Sequence, residues 1–256
     1  MTKLGQHFLT DKNALKKIAA LLDLKEGDVV IEIGPGHGEL TEQMANSEAQ
    51  IIAIERDELL ADTLRAKFSG NEKIKIVTGD ALKILSSVIQ DSLFIAHSYK
   101  IAGNIPYYIT GKLLRTISEL QEKPSVSVFT IQKEVAERLA AKPPRMNRLA
   151  ASVQFWANPE IAFIIPRTSF QPIPEVDSAT TVLKKASPRR IEADAYYKTV
   201  RAIFAQPRKT ILNNLSDGVG ISKKDAAEKL AKIDIETNLR PQNLSVEDII
   251  KIAEVF

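Results

Sequence analysis

The chain has 256 residues, 44% of them hydrophobic and 26% charged, which is enough apolar material for a full core and enough charge for a water-exposed surface. It has no cysteine and three histidines, which excludes disulfides, thiolate metal sites and cysteine nucleophiles and leaves no metal centre to expect. No apolar run approaches the roughly 20 residues of a membrane-spanning helix, and the first residues lack a basic region followed by an apolar core, so no membrane partner is expected and the expected location is the cytoplasm. The net charge of +3 is unevenly placed: from Arg138 to Lys209 there are 13 basic and five acidic side chains, so that window carries +8 and the remainder −5. Such asymmetry suits a face that binds a polyanion, although solvated helix faces produce it too.

In chain order, Leu15, Ile18, Ala19 and Leu22 recur at helical spacing and predict a first helix. Val29–Ile33 is an apolar strand that runs into the turn Gly34-Pro-Gly-His-Gly38 and then a helix-like ELTEQMA. Ile51–Glu55, Ile74–Val77, Tyr99–Gly103, Val126–Ile131, Glu160–Ile165 and Ser178–Lys184 complete seven strands. Between them, Leu59, Leu60, Leu64 and Phe68, then Leu113, Leu114, Ile117 and Leu120, then Val135, Ala136 and Leu139 each draw one apolar stripe on a helix. Pro166, Pro172 and Pro174 separate the last two strands and predict a hairpin-like connection through an irregular loop. This is an α/β pattern: a Rossmann-like, doubly wound, mainly parallel sheet. Strand signals stop near Ser187, and Ser222-Lys-Lys-Asp225 and Ser245-Val-Glu-Asp248 read as helix starts with capping boxes. The expected division is therefore an α/β domain over residues 1–187 and a small helical domain over 188–256.

The glycine turn after the first strand lets backbone N–H groups approach a ligand closely, and Gly34 and Gly36 are its candidate contacts. A dinucleotide fingerprint needs glycine at position 39, where Glu39 stands, so NAD and FAD are disfavoured. Glu55 ends the second strand, 19 residues after Gly36, where an acid can accept from both hydroxyls of a ribose. Asp80 follows the third strand, placed to accept from an adenine amine. Three such features along one carboxyl edge predict an adenosine-containing cofactor, and with no phosphate-binding G-x-x-x-x-G-K-[ST] motif the best fit is S-adenosyl-L-methionine.

Ala102-Gly-Asn-Ile-Pro-Tyr-Tyr-Ile-Thr110 follows the fourth strand. By itself it reads as an ordinary turn, because Gly, Asn and Pro are turn formers. In a doubly wound sheet, however, the fourth strand lies beside the first, which puts the stretch at the cofactor. Transfer of a methyl group to an exocyclic base amine needs acceptors for the amine hydrogens and a flat face for an unstacked base. Asn104, a carbonyl held by Pro106, and Tyr107 supply these.

At these residues the chain resembles the KsgA-type ribosomal RNA adenine dimethyltransferases. The resemblance rests on Gly5-Gln-His-Phe-Leu-Thr-Asp11, Ile31-Glu-Ile-Gly-Pro-Gly36, Asn104-Ile-Pro-Tyr-Tyr-Ile-Thr110, Gln132-Lys-Glu-Val135, Phe170-Gln-Pro-Ile-Pro-Glu-Val-Asp-Ser178 and Arg208-Lys-Thr210, in register over essentially the whole chain. It implies dimethylation of two adjacent adenosines near the 3′ end of small-subunit ribosomal RNA in the assembling subunit, by a monomer. It implies cofactor contacts at His7, Leu9, Gly34, Glu55, Asp80 and Asn104, and target-base contacts at Asn104 and Tyr107, with Phe170 as a second ring. Arg145, Arg148, Arg208 and Lys209, from the basic window, are the expected RNA contacts. His7 stands where the family usually has Asn, and Gln206-Pro-Arg-Lys-Thr210 lacks one arginine of the usual Arg-Arg-Lys-Thr. The alternatives are the sister group that methylates large-subunit RNA and confers macrolide resistance, and a non-catalytic ribosome assembly factor.

Overall fold

The computed structural model describes residues 7–93 and 98–256, so Gly5 and Gln6 of the N-terminal motif lie outside the described residues. The chain runs β1 (Phe8–Leu9), α1 (Lys12–Leu21), β2 (Val29–Ile33), α2 (Glu39–Met44), β3 (Gln50–Glu55), α3 (Glu58–Lys67), β4 (Ile74–Thr78), α4 (Ala81–Leu93), β5 (Tyr99–Asn104), α5 (Thr110–Glu119), β6 (Val126–Gln132), α6 (Lys133–Leu139), α7 (Arg148–Gln154), β7 (Ala157–Ile165), β8 (Phe170–Gln171), β9 (Ser178–Lys185), α8 (Ala193–Ile203), α9 (Ile211–Val219), α10 (Lys223–Ala231) and α11 (Val246–Val255). It forms two compact units, one of residues 1–136 and 159–185, the other of 137–158 and 186–256.

The first unit is built on a seven-stranded sheet of order β4-β3-β2-β5-β6-β9-β7. Parallel pairing joins β2 to β3 and β5, β3 to β4, and β5 to β6, whereas β6 and β9 are antiparallel with Phe129 opposite Thr181. Every residue of β2 is buried, which is why its sequence VVIEI is a continuous apolar run broken only by Glu32 rather than an alternating one. The order reverses at β2, which has β3 on one side and β5 on the other. A crevice opens at such a switch point beyond the carboxyl ends of the strands. Gly103 tightens it, because a Cβ built there would lie 2.5 Å from the Ile33 carbonyl oxygen.

All seven expected strands are present, each within three residues of its expected limits, and β7 and β9 are neighbours across the proline-containing loop. A second sheet was not expected: β1 pairs antiparallel with β8, Phe8 opposite Gln171 and Leu9 opposite Phe170. Two-residue strands are too short for periodicity to reveal.

The second unit is helical. Ser222 and Ser245 cap α10 and α11 as their spacing implied, each hydroxyl accepting from the backbone N–H three residues on. The expected boundary at 188 falls close to the start of its main segment, but residues 137–158 also belong to this unit. Met146, Ala150, Ala151 and Phe155 bury their side chains with Tyr196, Val200, Ile211, Leu215 and Ile249. Phe155 stacks on Tyr196 at 4.1 Å between ring centroids, and the Tyr196 hydroxyl donates to the Ala151 carbonyl.

Candidate active site

The glycine turn is held from below by an acid. Gly34 and Gly36 adopt φ of +66° and +61°, a backbone conformation that side-chain-bearing residues rarely adopt. Glu55, at the end of β3, accepts from the Gly36 N–H at 3.2 Å and, through its other oxygen, from the Asp57 N–H at 2.9 Å. It is buried, so this carboxylate fixes the turn before it meets any ligand. Asp80 is half-buried beyond β4, and its Oδ1 accepts from the Leu82 N–H at the start of α4.

On the β5 side, Asn104 closes the strand and Tyr107 opens a short 3₁₀ turn, Tyr107–Ile109. The Asn104 side chain donates through Nδ2 to the His7 carbonyl at 2.8 Å. A backbone carbonyl only accepts, so the orientation of this amide is determined and Oδ1 is the atom left to accept a further hydrogen bond. The Pro106 carbonyl takes the Ile109 N–H at 3.0 Å, which leaves the Ile105 carbonyl as the backbone acceptor that the proline holds in place. The Tyr107 hydroxyl is hydrogen-bonded to the Ser178 hydroxyl at 2.9 Å. Burial pushes the Tyr107 phenol above its ordinary pKa, against the bond from Ser178 and with the charge of Asp177, so it stays neutral near pH 7.

The β1–β8 ribbon brings the N-terminal arm to the same place. His7 Nδ1 donates to the Pro172 carbonyl at 2.8 Å, and its ring stacks near Tyr107 at 5.9 Å between centroids. Phe8 lies against His37 of the turn, with centroids 4.4 Å apart, and a Cβ on Gly36 would come within 2.8 Å of the Phe8 ring. Thr10 donates from both its N–H and its hydroxyl to the Ser169 carbonyl.

These segments enclose one pocket lined by His7, Phe8, Gly34, Gly36, Asn104, Ile105, Pro106, Tyr107 and Phe170. Of the residues expected at the site, His7, Gly34, Gly36, Asn104, Tyr107 and Phe170 therefore meet. Leu9 is turned into the core, Phe170 is buried in the same core cluster while also lining the pocket, and Glu55 and Asp80 stand at or just beyond adjacent strand ends outside the pocket lining. The residues fit S-adenosylmethionine: a Cβ built on Gly34 meets no atom within 4 Å, so the turn has an open inner face, and one carboxylate, Glu55, stands at the end of β3 while a second, Asp80, stands two residues beyond β4. Ile105 enters through the carbonyl expected from the proline, whereas Phe8 and Pro172 were missed as site residues, because their signals are side-chain and backbone pairings between segments far apart in the chain.

In the second unit, Arg145, Arg148 and Arg208 are exposed and have no ion pair among the described residues. Lys209 lies 3.3 Å from Asp217. Asn214, buried beneath the Gln206–Thr210 loop, accepts from the Gln206 N–H and donates to the carbonyls of Gln206, Lys209 and Thr210. Arg189, by contrast, is turned inward to the carbonyls of Gln154 and Phe155 and to Glu247, a structural tie rather than a free cation.

Residues 1–256 match the family described as Ribosomal RNA adenine dimethylase. A ribosomal RNA small subunit methyltransferase A of Dehalococcoides mccartyi is 40% identical over 251 residues, covering 96% of this chain and 84% of its own. One of Ligilactobacillus salivarius is 39% identical, covering 99% and 88%. Among solved structures, a dimethyladenosine transferase from Plasmodium falciparum superposes with a TM-score of 0.80 at 25% identity, over 96% of this chain and 95% of that one. The 23S rRNA methyltransferase ErmE shares the fold, with a TM-score of 0.75 at 24% identity, over 96% and 98%.

Proposed function

The chain belongs to the ribosomal RNA adenine dimethylase family and is a methyltransferase; from that membership we propose that it dimethylates the exocyclic amines of two adjacent adenosines near the 3′ end of small-subunit ribosomal RNA. S-adenosylmethionine would be held by Gly34, Gly36, Glu55, Asp80 and Asn104 and would supply an electrophilic methyl group at a sulfonium, each transfer releasing one amine proton to solvent. The chain's own residues then have three tasks.

The first is to localise the amine lone pair, which is otherwise delocalised into the adenine ring. Asn104 Oδ1 and the Ile105 carbonyl accept its two hydrogens, drawing the nitrogen toward a geometry in which its lone pair is available. The second is to hold the flipped base flat, against the Tyr107 ring and with Phe170 as the second apolar wall. The third is to keep water out, which the His7–Phe8 arm does by closing over the turn. Among the described residues no carboxylate lines the pocket, and the titratable side chains there are His7 and Tyr107. Because a sulfonium methyl is already activated, the reaction needs orientation more than a strong base.

The observation that carries this reading is the Asn104 amide, which donates one N–H to the His7 carbonyl and is thereby oriented with its Oδ1 left to accept from an amine. The test is reaction with labelled S-adenosylmethionine and with each purified, undermethylated ribosomal subunit, followed by primer extension. Stops at two adjacent adenosines near the 3′ end of the small-subunit RNA are expected. Stops only in large-subunit RNA would move the protein to the sister activity, and failure to bind the cofactor at all would make it an assembly factor.

A further inference from the structure

Six large hydrophobic side chains are exposed among the described residues, and three of them lie within a few residues in sequence of pocket-lining positions: Tyr108 beside Tyr107, and Ile173 and Val176 after Phe170. Tyr108 directly follows pocket-lining Tyr107, while Ile173 and Val176 sit in the loop after β8, between Pro172, which holds His7, and Asp177, whose carboxylate accepts from the Arg167 N–H. In a 3₁₀ turn successive side chains are about 120° apart. The rings of Tyr107 and Tyr108 consequently diverge, the first half-buried in the pocket and the second 56% exposed. Tyr108 makes no hydrogen bond and packs against no other ring among the described residues, so the fold does not account for it. Single exposed apolar side chains are ordinary on a protein surface; what sets Tyr108 apart is its place directly after pocket-lining Tyr107.

A target base never arrives alone. Its neighbours are covalently attached one nucleotide away, and the Cα atoms of residues 107 and 108 are about 3.8 Å apart. We propose that Tyr108 is a stacking platform for the nucleobase adjacent to the one held by Tyr107, with the exposed Ile173 and Val176 of the loop after β8 as further apolar contacts for the flanking RNA. Lys112 and Arg167, both exposed and without an ion pair among the described residues, lie within four residues of Tyr108 and Phe170 and are available to the flanking phosphates. The platform makes the enzyme sensitive to the base beside its target, which in the proposed substrate is itself an adenine. It rests on the reading of the pocket as an adenine site.

Two measurements test it. In steady-state methylation of undermethylated small subunits, Tyr108→Ala should raise KM about tenfold with kcat little changed, and Tyr108→Phe should match the wild type. In binding to a protein-free RNA fragment carrying either an intact or an abasic nucleotide beside the target adenosine, the wild type should prefer the intact RNA by about tenfold and Tyr108→Ala should not discriminate. An unchanged KM, or undiminished discrimination by Tyr108→Ala, would overturn the proposal. So would a raised KM on subunits with unchanged RNA binding, which would assign Tyr108 to a subunit protein. If the wild type methylates neither subunit, the proposed function fails, while the abasic comparison still reports on Tyr108.

Discussion

β5 ends in Asn104, a side chain whose amide is already half engaged. The bond from Nδ2 to the His7 carbonyl does two things at once: it orients the amide and ties down the N-terminal arm. In the proposed mechanism Tyr107 acts through its face, since its hydroxyl is committed to Ser178. Tyr107→Phe should therefore retain kcat/KM within about threefold, whereas Tyr107→Ala should lose about 10- to 100-fold, the measured worth of one base–aromatic stack. Initial rates on undermethylated subunits decide this, and a Phe variant as poor as Ala would transfer the role to the hydroxyl. At this scale Asn104, Pro106 and Tyr107 were legible from the sequence because one short stretch carries them. The contributions of Phe8 and of the Pro172 carbonyl were not, because nothing local to either segment signals the β1–β8 pairing.

Among the elements, β2 and α2 carry the least expected chemistry. Glu32 sits mid-strand, buried, with its carboxylate 2.6 Å from the Thr41 hydroxyl of α2. Loss of solvation pushes its pKa up to about 8, with Glu39 and Glu55 adding to the rise and the Thr41 bond opposing it. The unfolded carboxyl titrates near 4.5, so between that pH and about 8 the folded chain keeps a proton that the unfolded chain has released. Stability contributed by the protonated group is lost across that interval as pH rises, then levels off. Glu32→Gln keeps an acceptor for Thr41 without a charge. Its melting temperature should exceed the wild type's at about pH 8.5 and approach it at about pH 5, and parallel declines in the two proteins would contradict the assignment. The strands themselves were legible because burial on both faces makes parallel strands continuous apolar runs. That Glu55 turns to the Gly36 N–H was not, since spacing places an acid at a strand end without saying what it faces there.

Across the whole molecule, charge and chemistry are divided. The second unit holds 16 basic and 11 acidic side chains, and the first 19 and 21. We propose that the helical unit grips RNA phosphates through Arg145, Arg148 and Arg208. Replacing these three by Gln should lower the slope of log affinity against log salt by about one for each lost contact, while Lys209→Gln should change it less, because Asp217 already partners that ammonium. Binding titrations across a salt series measure this, and an unchanged slope would place the RNA elsewhere. The division itself was only partly legible: the end of the strand signals marked the boundary near 188, but nothing in residues 137–158 shows that Met146, Ala150 and Phe155 pack with helices about 50 residues later rather than with the sheet.

The central claim is that the pocket between the glycine turn and Asn104-Ile-Pro-Tyr107 methylates an adenine amine. It is tested most directly by mass spectrometry of nucleosides from undermethylated small subunits treated with the protein and S-adenosylmethionine. The account predicts N6,N6-dimethyladenosine from the wild type, and at least about 100-fold less product from Asn104→Ala under conditions where it still binds the cofactor. Absence of dimethyladenosine with folded wild-type protein, or wild-type yields from Asn104→Ala, would contradict it.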